Sequence, residues 1–347
     1  MAKKQNKIYD FTLFETEFFP EWIKQFRSGS KKGEYCYKKT DVDLEKKSQS
    51  STTSLYGTTD MLISLYDINQ LHLTESEKDE WAKMINQFQN PNTGWFEKTY
   101  TMHYKEHTTA YAVAALYLID RRPQYPLKWK HDIISSKNSM KKWINGINWS
   151  IIWPSSHIVS GVPAALAMAD EGTDEFFNWY FDWLDKHADP KSGFYLRGFI
   201  HRIKIVRKPT KQELGGAFHM YYVYEFFNRK WPYPEKIVDE CIRLQKDNGL
   251  WDKDVTYCID LDGLYSMIRS SRNANWYRKS DVRESVEKYL ETAERIFNDK
   301  EFFFQSYQNS HKLTGALNAI AECQKWFPDL VRTTKPWQQS LDKACFI

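Results

Sequence analysis

Six apolar segments recur along the 347-residue chain at nearly constant spacing, and nothing else in the sequence limits the fold as much. They are Leu55–Tyr66, Thr108–Ile119, Ile158–Met168, Ala217–Phe227, Ile259–Ile268 and Lys312–Ile320. With Leu65, Leu116, Leu166, Tyr222, Tyr265 and Leu317 as equivalent points, the steps are 51, 50, 56, 43 and 52 residues. A step of that length holds two helices and two turns, so the period predicts a repeat of helical hairpins. The segments between are amphipathic: Thr74–Phe88, Glu175–Lys186, Pro234–Lys246 and Arg283–Phe297 each carry one apolar stripe and one charged face. The apolar segments therefore read as an inner ring and the amphipathic ones as an outer ring. The expected fold is all-α, an (α/α)6 toroid over residues 51–347, with residues 1–50 forming an N-terminal helix and a polar loop packed on it.

The joints agree with this reading. Asn92-Thr93-Gly94-Trp95-Phe96, Lys191-Ser192-Gly193-Phe194 and Asn248-Gly249-Leu250-Trp251 each place a glycine in a polar turn before an aromatic or leucine. Glycine accepts the left-handed conformation that stops a helix. Ser51–Ser54 supplies capping residues before the first inner helix. Phe11–Phe26 is helical in pattern, with Pro20 bending or splitting it. The clearest strand signal is Phe199–Arg207, inside the longest step, where a short basic insertion is expected between the third and fourth inner helices.

Composition narrows the function. The formal net charge of +4 gives no support for nucleic-acid binding. No apolar run reaches the ~18 residues of a membrane helix, and the first residues lack a signal-peptide core. Five dispersed cysteines without a CxxC pair suit reduced thiols and a cytoplasmic location. The absence of a glycine-rich phosphate loop, GxSxG and HExxH argues against a nucleotide-binding domain, an α/β hydrolase and a typical zinc protease.

Titratable residues gather where the apolar segments begin. His107, His157, His219 and His311 are four of the nine histidines, and Cys258, Asp260 and Asp262 open the fifth segment. Six inner helices pointing their positive ends at one rim would favour anionic groups there. Asp260 and Asp262 are candidates for general acid and base, since one of two neighbouring buried carboxyls holds its proton to higher pH. The alternative is that they cap the helix and its turn. The histidines are candidate proton-transfer groups, with Tyr111 and Tyr222 close in sequence to His107 and His219 as ligand contacts. Trp95 and Trp251 are candidate aromatic platforms. Arg197, Arg202 and Lys204, with Arg207, Lys208 and Lys211, make a basic arm without an acid, and Arg269, Arg272 and Arg278 follow the fifth segment. Such charge would recruit an anionic ligand; a solvated loop is the alternative.

Six hairpins with inner helices converging on a hole resemble the α/α toroid of terpenoid cyclases, the β subunits of protein prenyltransferases, and many polysaccharide lyases and glycoside hydrolases. The turn-then-aromatic elements look most like the prenyltransferase and cyclase repeat. Protein prenyltransferases hold zinc with an Asp and a Cys one residue apart at the start of one inner helix and a His at the start of the next. The similar residues here are Cys258, Asp260 and His311, with Cys and Asp in reversed order. Zinc or magnesium is the cofactor this resemblance implies. Asp260-Leu261-Asp262-Gly263 resembles the acidic motif of proton-initiated terpene cyclases, with Gly263 where a further carboxylate belongs. The implied activity is isoprenoid diphosphate cyclisation or prenyl transfer in an aromatic-lined central cavity. His–Tyr neighbours also occur in toroidal polysaccharide lyases, so a lyase or hydrolase acting on an anionic glycan is the second expectation. A non-catalytic toroid that only binds is the third.

Overall fold

The computed structural model describes residues 7–38, 53–97, 103–195 and 208–347. They are overwhelmingly helical, as the repeat predicts. A π-helical turn, Phe14–Phe18, runs into α1 (Phe19–Lys24). Pro20 sits in the first turn of α1, where its missing N–H costs nothing, so the aromatic stretch is split as expected. The helices that carry the six apolar segments, the expected inner helices, are α2 (Leu55–Asp67), α4 (Lys105–Leu118), α7 (Ile152–Met168), α9 (Lys211–Phe226), α11 (Cys258–Asn273) and α14 (Ser310–Trp326). Between them lie α3 (Glu75–Asn86), the pair α5 (Lys130–Ile134) and α6 (Lys137–Gly146), α8 (Asp174–His187), α10 (Pro234–Leu244), α12 (Lys279–Asn298) and the short α13 (Lys300–Ser306). Among the described residues, strand is confined to Tyr9–Asp10 and Val331–Arg332, paired in parallel. The strand and basic arm expected over Arg197, Arg202 and Lys204 lie outside the described residues, as does the domain boundary expected at residue 50.

The described chain divides into two compact units, residues 1–72 with 241–340, and residues 73–240 with 341–347. In the first, α14 packs between α2 and α11, so the last inner helix lies against the first. In the second, α7 packs between α4 and α9. Glycines allow these helix pairs to come close. A Cβ on Gly315 of α14 would lie 2.6 Å from the Cys258 backbone nitrogen at the start of α11, and one on Gly161 of α7 would lie 2.7 Å from the Glu106 carbonyl oxygen of α4.

The joints behave as the turn chemistry requires. Gly94, Gly193 and Gly249 all have φ near +80° (82°, 76° and 80°), where a side chain would be strained. The joint between α12 and α13 has no glycine; there Asp299 caps α13 by accepting from the Phe302 N–H at 3.0 Å. Two inner helices begin well before their apolar segments. α9 starts at a capping box in which Thr210 and Glu213 satisfy each other's end of the chain, with Glu213 accepting from the Thr210 N–H at 2.8 Å. His219 therefore lies two turns inside α9, and His157 lies in the second turn of α7, instead of at the helix starts.

Candidate functional site

The first unit holds a cavity of about 550 Å³ at the N-terminal ends of α11 and α14. Its walls are Asp252, Lys253, Asp254, Val255 and Tyr257 from the turn before α11, Cys258 at its first residue, and Asn309, His311 and Lys312 from the start of α14. Asn309 caps α14, accepting from the Lys312 N–H at 2.9 Å, and this fixes the first turn that carries His311. Behind the wall, His311 Nδ1 lies 2.9 Å from Oδ1 of Asp60, a fully buried carboxylate of α2. Ser310 donates its hydroxyl to the other oxygen of Asp60. Two further contacts continue this polar seam between α2 and α14: Ser64 with Thr314 at 3.1 Å, and the Asn318 amide with Asp67. Burial raises the Asp67 carboxyl well above its usual range.

The carboxylate pair on α11 separates into two roles. Asp260 is a cap. Its Oδ1 accepts from the Trp251 N–H at 2.8 Å and its Oδ2 from the Tyr257 N–H at 3.0 Å, locking the Gly249–Trp251 turn onto the helix start. Burial nonetheless raises it to about 7. Asp262 is one helical turn beyond Cys258, and its Oδ2 is buried with no hydrogen-bond partner among the described residues. Burial first, and Asp260 second, push its carboxyl well above the usual carboxylate range. Burial, then Asp262 and Asp260, likewise hold Cys258 as a neutral thiol. Cys258, Asp260 and His311, the residues similar to a zinc set, are not gathered round one point among the described residues. Both oxygens of Asp260 serve backbone amides, and the three donor atoms do not converge within 4.8 Å.

Trp251 is also structural. It is 2 % exposed, its indole N–H donates to the Cys241 carbonyl at 2.9 Å, and its ring fills the space where Gly263 lacks a side chain. Tyr257 is the one Phe, Trp or Tyr residue among the cavity walls; charged side chains stand there beside a surface that is mostly apolar. The basic cluster after the fifth segment belongs to the opposite end of α11. Arg269 is buried and pairs with Glu322 through two contacts of 2.8 Å, and Arg272 lies over the Trp326 ring at 3.8 Å.

The second unit brings the other three histidines together. His107 and His157 have ring centroids 4.6 Å apart, and His157 and His219 4.8 Å. His219 Nδ1 lies 2.7 Å from the Gly215 carbonyl oxygen and 3.0 Å from Ser156 Oγ. The carbonyl can only accept, so Nδ1 carries the proton. Burial lowers the His219 pKa to about 4 and keeps the ring neutral. Tyr111 and Tyr222 are fully buried; the Tyr222 hydroxyl donates to Ser160 Oγ at 3.2 Å. Phe346 closes one side, with its ring 4.9 Å from His107 and 5.5 Å from Tyr222. Trp95 is half-buried and stacked face to face on Trp129 at 4.2 Å, with Lys105 Nζ 4.6 Å from its ring centre. Its face is thus occupied by protein.

Two residues of these sites escape the sequence reading. Asp60 sits in the middle of an apolar segment, and a carboxylate there is the signal, because it must have a buried partner. His103 precedes α4 and stacks on His107 at 4.1 Å. Its signal is the spacing His103-Tyr104-Lys105-Glu106-His107.

Comparison with known proteins gives no match: no protein-family model, no curated protein and no solved structure is similar to this chain. Among the described residues, no helix is long and apolar enough to cross a membrane. The functional reading therefore rests on the sites themselves.

Proposed function

We propose that this chain is an enzyme that carries out acid–base chemistry on a hydrophilic, acidic small molecule bound at the mouth of α11 and α14, with His311 moving the proton. The observation that carries the reading is the 2.9 Å contact between His311 and the buried Asp60, made by a histidine that also lines a cavity. A carboxylate behind one ring nitrogen fixes the tautomer and orientation of the imidazole, which is what a general base requires. Lys253 and Lys312, together with the positive ends of two long helices, favour an anionic group on the ligand. The two lysines on the wall suit the charged part of a uronate-type glycan or a free diphosphate. The Cys258 thiol stands on the cavity wall as a further proton donor, one turn from the buried Asp262. We further propose that the six hairpins close into the toroid; the packing of the last inner helix on the first supports that reading.

The test is calorimetric titration of the full chain with inorganic diphosphate and with digalacturonate. Binding of either probe is expected, weakened about tenfold in a Lys253→Ala/Lys312→Ala double variant. Failure of both probes to bind overturns the proposal.

A further inference from the structure

Lys312 occupies a position that disfavours its own charge. It stands in the first turn of α14, on the cavity wall next to His311. The macrodipole is positive at that end of a helix, so an ammonium group there meets a field of its own sign. No carboxylate among the described residues forms an ion pair with it, although Asp252 and Asp254 belong to the same wall. Its Nζ donates to the Ser306 carbonyl oxygen at 3.0 Å and lies 5.8 Å from the ring centre of the buried Tyr307, so the amine turns back towards the end of α13. Burial lowers its pKa from the ordinary lysine value. We infer that Lys312 is a nucleophile that forms an imine with the carbonyl group of a short anionic oxo acid bound in this cavity.

The inference rests on the reading of the cavity as a site for an acidic small molecule, and it names the class: 2-oxo acids and aldehyde acids, to which an open-chain uronate also belongs. A lysine becomes a nucleophile when its surroundings favour the neutral amine and a proton-transfer group stands beside it. His311, held by Asp60 at 2.9 Å, is that group. It takes a proton from the Lys312 ammonium. The freed lone pair attacks the carbonyl carbon, and the C–N bond forms as the C–O π bond opens. His311 returns the proton to that oxygen, and with the second proton of the nitrogen it leaves as water. An ammonium and a ketone or aldehyde thus become an iminium and water, with no change in net charge and no oxidant or reductant. Lys253, on the same wall, is placed to pair with the carboxylate of the ligand.

The experiment is reductive trapping. The full chain is incubated with glyoxylate or pyruvate and cyanoborohydride, which delivers hydride to the iminium carbon, and the product is read by intact mass and peptide mapping. One equivalent is expected on Lys312, at least about tenfold faster than on the exposed Lys279. Lys312→Arg, which keeps the charge and loses the nucleophile, should abolish it. His311→Gln should slow it by about a hundredfold. Inorganic diphosphate should compete. Circular dichroism of each variant checks folding, and the comparison of Lys312 with Lys279 in the native chain needs no variant. Trapping no faster at Lys312 than at Lys279 overturns the inference, and so does single-site labelling that survives Lys312→Arg. Diphosphate that binds to a chain showing no trapping overturns the imine alone; trapping at Lys312 in a chain that binds neither diphosphate nor digalacturonate supports the imine and overturns only the choice of those two ligands.

Discussion

His311 Nδ1 rests 2.9 Å from Asp60 Oδ1, joining the first and last inner helices across 251 residues of chain. One contact thus serves two ends. It anchors α14 on α2, and it holds an imidazole in place on the wall of a cavity.

Replacing Asp60 with Asn tests both roles. Ser310 and His311 lose a charged acceptor in a fully buried place. A loss of about 1–3 kcal/mol in unfolding free energy is expected from chemical denaturation. Nitrogen chemical shifts of His311 should change from one tautomer to a mixture. An unchanged tautomer would remove Asp60 from the positioning of His311.

Arg269 and Glu322 are a buried, doubly bonded ion pair in the first unit, with side chains 3 % and 0 % exposed. Removing one partner strands the other charge. Arg269→Met should cost about 3–5 kcal/mol, whereas Arg269→Met/Glu322→Leu should recover most of it. The double-mutant cycle, measured by urea unfolding, decides this.

Helix propensity and packing make opposite predictions at Gly161. Alanine in a helix interior gains about 0.5–1 kcal/mol over glycine. The added Cβ meets the Glu106 carbonyl oxygen at 2.7 Å, and backbone cannot swing aside as a side chain can. Overpacking of about 1–3 kcal/mol should win, so Gly161→Ala is expected to lower the melting temperature.

Stability should fall on acidification because of His219. Its folded pKa, about 4, lies below the ordinary value of 6.5, so the unfolded chain binds more protons between those values. The contribution is complete above pH 6.5 and is lost as pH falls towards 4, on the order of 3 kcal/mol in all. Denaturation of the protein across pH 4–7 should show this slope, and His219→Gln should flatten it.

Much of the architecture was legible in the sequence because its causes are local. Apolar periodicity, Thr and Asp caps, and glycines in polar turns act over a few residues. They placed the six helices that carry the apolar segments and the three glycine joints. The start of α9 was misplaced because its first turn is polar and announces itself by capping at Thr210 and Glu213, instead of by apolar pattern; α7 starts at Ile152 without a side-chain cap, with Pro154 in its first turn. The sites were legible only in part. Histidines at the apolar segments pointed to His107, His157, His219 and His311, yet only the folded chain separates Asp260, whose oxygens cap a helix, from Asp262, whose oxygen has no such duty. It also takes the fold to bring Asp60 behind His311 and to bury Trp251 and Arg269 in structural contacts. The physical reason is that a local pattern tells a residue which way to face, whereas the role of a polar group depends on the partner it meets after burial, and that partner comes from a distant part of the chain.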